Sequence, residues 1–186
     1  AVKDTLNSVL KDGKFDLTDI GLAEEDIRRT SQIYIVACGS AYHVGMVAQY
    51  VIEDLVKIPV RVELASEFRY RKPILDPNGL VIIISQSGET ADSLAALRET
   101  KAQGIRTLGI VNVVGSSIAR EADKVFYTLA GPEISVATTK AYSTQLMASY
   151  ILAIQFAKVK NTITEEQYEN YIAELQAIPE KIEKII

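Results

Sequence analysis

Ile33-Tyr34-Ile35-Val36-Ala37 is an apolar run with no polar alternation, and Cys38-Gly39-Ser40 follows it directly. A strand with one face in water alternates apolar and polar residues. A run that is apolar throughout fits a parallel strand buried on both faces. The period then changes: Val44, Val47, Ala48, Val51, Ile52 and Leu55 recur at helical spacing, and Pro59 closes that element. Val60 to Leu64 reads as a second strand. Asp76-Pro77-Asn78-Gly79 is a turn before Leu80 to Ile84, the third and most hydrophobic strand. A helix from Thr90 to Gln103 follows, with Leu94 and Leu97 inward and Gly104 as its stop. Thr107 to Val111 makes a fourth strand, Ser116 to Ala122 a short helix, and Val125 to Leu129 a fifth strand. Thr139 to Lys158 is a long helix with Leu146, Met147, Tyr150, Ile151 and Ile154 on one side. This alternation predicts an α/β fold, a three-layer α/β/α sandwich with a five-stranded, doubly wound parallel sheet and right-handed crossovers.

The two ends read differently. Asp4 to Arg29 suggests one or two short helices, so residues 1–30 form a helical lead-in to a ligand-binding domain over 31–160. Residues 161–186 carry an amphipathic helix with Tyr168, Ile172, Leu175, Ile182 and Ile185, broken at Pro179. An apolar face that runs to Ile186 is expected to pack on a further part of the protein.

The composition narrows the function classes. The chain has 186 residues, 48% of them hydrophobic, with 20 basic against 24 acidic residues and a net charge of −4. That describes one globular domain with no basic footprint for nucleic acid. No apolar run approaches the roughly 20 residues of a membrane-spanning helix, and Ala1-Val2-Lys3-Asp4 lacks a signal-peptide core. One cysteine, Cys38, excludes an internal disulfide and leaves no Cys/His cluster for zinc. A cytoplasmic location fits, and the missing initiator methionine fits either processing or excision from a longer chain.

In an open parallel sheet, ligands bind beyond the carboxyl ends of the strands, at the switch point in strand order. Ser85-Gln86-Ser87-Gly88-Glu89-Thr90 falls after the third strand and opens a helix. Its hydroxyls, amide and glycine suit an anion site built from neutral donors on free backbone N–H groups. A plain turn in which Ser87 or Thr90 caps the helix has the same composition. Cys38-Gly39-Ser40-Ala41-Tyr42 offers a second wall. Gly39 and Gly45 do not make G-x-G-x-x-G, so a dinucleotide site is weakly supported even with Glu63 downstream. Gly131 to Lys140 offers hydroxyls and N–H groups after the fifth strand and opens the long helix, or is an ordinary capped loop. His43 reads as an exposed helix residue and Cys38 as a small buried hydrophobe; Glu133 and Lys140 are either catalytic groups or, more simply, a first-turn glutamate and a solvated lysine. Glu67 to Lys72 is a basic-aromatic stretch that either meets a partner subunit or, by default, is a solvated loop. These residues describe a pocket and no reaction.

Together the segments resemble a known family. Ser85 to Asp92 looks like the signature loop of sugar isomerase (SIS) domains, which have a flavodoxin-like doubly wound fold. Cys38 to Tyr42, Ala65 to Arg71, Asn112 to Ser117 and Glu133 to Tyr142 are similar, in order and spacing, to the glucosamine-6-phosphate synthase family, the glutamine–fructose-6-phosphate aminotransferases. The resemblance implies a first SIS subdomain of an enzyme that turns fructose-6-phosphate and glutamine-derived ammonia into glucosamine-6-phosphate. It implies a phosphate on Ser85, Gln86, Ser87 and Thr90, and a sugar lined by Ser40, Ala41, Val136 and Thr138. The family usually has threonine-serine at Ser40-Ala41, so a hydroxyl is missing at Ala41. The family's isomerase glutamate, lysine and ring-opening histidine belong to a second SIS subdomain beyond Ile186, and its nucleophilic cysteine to a glutaminase domain. The expectation is therefore binding without catalysis, with no metal or cofactor, in a homodimer. The alternatives are a sugar-phosphate-sensing SIS module of a regulator and a related phosphosugar deglycase or isomerase.

Overall fold

The computed structural model describes residues 1–134 and 138–185. The amino-terminal segment holds α1 (Val2–Asn7), a two-stranded hairpin of β1 (Leu10–Lys11) and β2 (Lys14–Phe15), a 3-10 turn at Thr18–Ile20, and α2 (Glu24–Arg29). Then come β3 (Ile33–Ala37), α3 (Ser40–Val56), β4 (Val60–Leu64), α4 (Ala65–Arg71), β5 (Leu80–Ser85), α5 (Ala91–Ala102), β6 (Arg106–Val111), α6 (Ser117–Glu121), β7 (Lys124–Tyr127), α7 (Lys140–Val159) and α8 (Glu165–Glu183).

The five expected strands form one parallel sheet in the order β4-β3-β5-β6-β7. Numbered within the sheet, that is 2-1-3-4-5, the flavodoxin-like order, with its switch point between β3 and β5. Ile35 lies opposite Val62 on one side and Ile82 on the other, so β3 is central and buried throughout. Side chains leave a strand on alternate faces. Ile33, Ile35, Ala37, Leu80, Ile82 and Ile84 therefore join a core under α3 and α7, while Tyr34, Val36, Val81 and Ile83 join one under α4, α5 and α6. Gly45 lets α3 close onto the sheet: a Cβ there would lie 2.9 Å from Ile35 Cγ2 and 3.0 Å from Val62 Cγ1. That is a packing role, and Glu63 is engaged by an ion pair with Arg71; neither residue is arranged for a dinucleotide.

Three expectations change. The lead-in contains a hairpin as well as helices. Asp12 and Gly13 both take positive φ (50° and 76°), the type I′ geometry that joins β1 to β2. Residues 67–71, expected as a solvated loop, lie in α4, which buries Ala65 and Phe68 and presents its charges outward. Pro179 does not break the last helix. α8 runs through it, losing only the bond a prolyl nitrogen cannot donate to Leu175.

α8 also closes over its own chain. Thr164 and Gln167 form a reciprocal capping box at its start. Tyr168, 1% exposed, accepts a hydrogen bond from Phe15 N–H at 2.9 Å and donates one to Gln155 Oε1 at 2.9 Å. Burial pushes that phenol up, and the Phe15 bond only partly offsets it. Through Leu175 the apolar face is covered; beyond it Ile185 is exposed.

At the amino ends of the strands, Asp26 of α2 faces three cations. Its carboxylate lies 2.7 Å from Arg29, 3.2 Å from Lys124 and 3.6 Å from Arg106, and those last two open β7 and β6. Arg106 also donates to Asp26 O (2.8 Å), Asn78 O (2.9 Å) and Thr30 Oγ1 (3.2 Å).

Candidate functional site

β3 and β5 end side by side, and each runs through a short turn into a helix, α3 or α5. In a doubly wound sheet this aims two helix amino termini into the crevice at the switch point. Among the described residues neither terminus has a side-chain cap. At α5 the cap position is Thr90, yet its hydroxyl turns away from the helix to Ser85 Oγ, 3.0 Å off. The simple capping role is thus not taken up, and the first-turn N–H groups of α5 are left for an outside acceptor.

The loop between Ser85 and Thr90 is held from beneath. Ser85, 3% exposed, accepts from Gly88 N–H at 3.1 Å, and Ser87 Oγ accepts from Glu89 N–H at 3.2 Å. Glu89 reaches outward and accepts from Ser117 N–H at 2.7 Å; hydrogen bonds from Ser117 hold its carboxyl below the ordinary value. Ile118 N–H donates to Gly88 O at 3.0 Å, so α6 clamps the back of the loop.

A cavity of about 230 Å³ opens in front of this loop, lined by Cys38, Ser40, Ala41, Ser85, Gln86, Ser87, Thr90, Glu133, Thr138 and Gln145 among others. It gathers the sequence-predicted residues Ser40, Ala41, Ser85, Gln86, Ser87, Thr90 and Thr138 in one place. Val136 lies outside the described residues. A larger cavity of about 440 Å³ runs beside β7, between the amino-terminal segment and α6. It lies away from the β3–β5 switch point and receives neither uncapped helix terminus. A third cavity of about 610 Å³, lined by Asn112, Val113, Leu129 and Gly131 among others, includes no residue of α3 or α5, so the cavity at the switch point is the candidate site.

Three residues lining the cavity had another reading or none. Cys38 is half-buried at the cavity wall, 3.8 Å from Ser93 Oγ, because it follows the last strand residue and faces the opening. The Glu133 carboxylate accepts from Ala141 N–H at 3.2 Å and Thr138 Oγ1 at 3.3 Å. It thereby fills the positive end of α7 with an internal anion, in contrast to α3 and α5. Gln145, 2% exposed, stands on the inward stripe of α7 with Ala141, Thr144 and Ala148. A polar residue on a core-facing stripe was the available signal for it. Asn112 ties the walls together: it donates from Nδ2 to Gly131 O (2.8 Å), accepts at Oδ1 from Ala130 N–H (2.7 Å), and its own N–H reaches Gln86 O (3.1 Å). His43 and Lys140 are exposed and do not line this cavity.

With neutral donors on one wall, free helix N–H groups and a carboxylate on the other, the cavity can hold an anionic group that also carries hydroxyls. The SIS domain family profile matches residues 26–155. The whole chain is 55% identical to a glutamine–fructose-6-phosphate aminotransferase [isomerizing] of Clostridium tetani and 54% identical to that of Clostridium acetobutylicum. It spans 31% of the length of each of these relatives. A solved structure, the C-terminal domain of glucosamine-fructose-6-phosphate aminotransferase from Francisella tularensis, superposes with a TM-score of 0.91 at 46% identity. That match covers 96% of this chain and 50% of the other.

Proposed function

The chain belongs to the SIS domain family, and from that premise we propose that it is the sugar-phosphate-binding subdomain of an enzyme that makes glucosamine-6-phosphate from fructose-6-phosphate and glutamine-derived ammonia. Its similarity, along its whole length, to aminotransferases of that name supports the reading. The observation that carries it is the uncapped amino terminus of α5 beside the Ser85, Ser87 and Thr90 hydroxyls and the Gln86 amide.

In this reading the phosphate sits on Ser85, Gln86, Ser87, Thr90 and the first N–H groups of α5. Ser40, Thr138 and the backbone at Ala41 line the sugar, with Val136 assigned there by family resemblance alone. Hydrogen bonds to a charged acceptor are worth about 1.5–3 kcal/mol each, so a few hold a phosphate without a lysine. Residues 31–160 form the binding domain, with 1–30 leading in and 161–186 leading to a second SIS subdomain. That subdomain and a glutaminase domain supply the reacting groups, in a cytoplasmic homodimer.

A thermal-shift titration with glucosamine-6-phosphate, fructose-6-phosphate and free glucosamine tests this. At a hundred times Kd a ligand adds about 2.7 kcal/mol, a rise in Tm of roughly 5–10 °C for a domain of this size. The two phosphosugars are expected to give that rise, free glucosamine none, and Ser87→Ala to abolish most of it. The same samples are expected to leave fructose-6-phosphate unconverted. No shift at high millimolar phosphosugar, or turnover by this chain alone, overturns the corresponding half of the reading.

A further inference from the structure

Gln145 Oε1 is buried and has no hydrogen-bond partner among the described residues, although its side chain lines the candidate cavity. A buried acceptor without a donor costs stability, and each one in a native fold calls for a reason. The neighbourhood does not require it. Thr144 donates its hydroxyl to Ala141 O at 3.0 Å, and Ser149 donates to Gln145 O at 2.9 Å, so only the Gln145 side chain is left over. An apolar residue of similar length would fill the same place on the inward stripe of α7 more cheaply.

The cavity is chemically two-sided. The β5–α5 wall presents donors: hydroxyls, the Gln86 amide and free helix N–H groups. The wall from α7 and the loop before it carries acceptors: the Glu133 carboxylate, which occupies the α7 terminus, and the Gln145 amide, whose oxygen is buried in the wall. A phosphate dianion suits the first wall and is repelled by the second. A polyhydroxy chain, whose O–H groups donate, suits the second. We propose that Gln145 is a specificity-determining residue whose Oε1 accepts a hydroxyl proton of the bound sugar, with the phosphate toward α5 and the hydroxylated carbons toward α7. This rests on reading the cavity as a sugar-phosphate site. Rotation about the terminal side-chain torsion, which is soft for an amide, turns the oxygen to the ligand without leaving the rotamer.

Gln145→Met keeps the length and removes the acceptor. Binding of glucosamine-6-phosphate and of inorganic phosphate is measured by phosphorus NMR titration on wild type and variant, with Tm recorded for both proteins. The variant is expected to bind glucosamine-6-phosphate about tenfold more weakly, the loss of one hydrogen bond. Inorganic phosphate affinity stays within about twofold, and Tm holds or rises because an unsatisfied group has gone. Equal losses for both ligands, no loss for either, or a lowered Tm each overturn the assignment, the last because it marks the amide as structural. A wild-type chain that binds neither ligand instead removes the sugar-phosphate reading on which the assignment stands. One that binds phosphate and not the phosphosugar keeps the anion site at α5 and removes both the sugar-phosphate reading and the Gln145 contact.

Discussion

Gly88→Ala is expected to lower Tm by roughly 6–12 °C, a loss of about 3 kcal/mol, and to remove phosphosugar binding with it. Two costs add. Gly88 holds φ +66°, where a side chain costs about 1–2 kcal/mol. Its new Cβ would also lie 2.6 Å from Ser116 Cβ and closer still to Ser116 Oγ. Ser116 cannot step aside, being 3% exposed at the start of α6. The loop cannot drift away either, since Gly88 O and the Glu89 carboxylate are both bonded to α6. Adding Ser116→Gly to Gly88→Ala removes both overlapping atoms and should restore the overlap part of the loss, leaving the conformational part. A single variant that melts with wild type and binds normally would falsify the clamped-loop description.

Asp26→Asn is expected to cost about 2–3 kcal/mol at neutral pH, or roughly 4–12 °C in Tm, by leaving Arg29, Arg106 and Lys124 crowded around a neutral amide. Its pH dependence separates charge from shape. Burial alone would raise the Asp26 pKa; the hydrogen bonds and charges of Lys124 and Arg29 outweigh it and hold the carboxyl below its ordinary 3.8. The folded state then binds fewer protons than the unfolded one around that pH. The stabilisation is complete above about pH 5 and drains away as pH falls through 3.8 and then through the lower folded value. Urea melts of wild type and variant should therefore differ equally at pH 7 and 5 and draw together as the pH falls below 3.8. A gap that stays constant down to the lowest pH assigns the loss to the amide and not to the missing charge.

The central strands were legible because parallel strands buried on both faces show unbroken apolar runs, as at Ile33–Ala37 and Leu80–Ile84, whereas the edge strands Val60–Leu64 and Lys124–Tyr127 are only partly buried. The hairpin was not, although Asp12-Gly13 spells its turn; strands of two residues are too short to display a period. α4 shows no clear period because its buried side is only Ala65 and Phe68 among charges. The donor loop from Ser85 to Thr90 is contiguous, so its composition displays it. The acceptor wall is not contiguous. Glu133 acts on Ala141, eight positions on, and Gln145 is meaningful only once α7 is docked and its inward stripe known.

The ion network around Asp26 and the donor loop stand at opposite ends of the same strands. From Arg106 to Val111 β6 advances five steps, about 16 Å at 3.3 Å per residue. Substitutions farther apart than about 7–10 Å without shared partners usually have additive effects. The scaffold can therefore gain or lose stability at one end while affinity drifts at the other. Heat tolerance and ligand preference become separately evolvable traits, and an engineer could reinforce the amino ends before altering a single residue that meets the sugar.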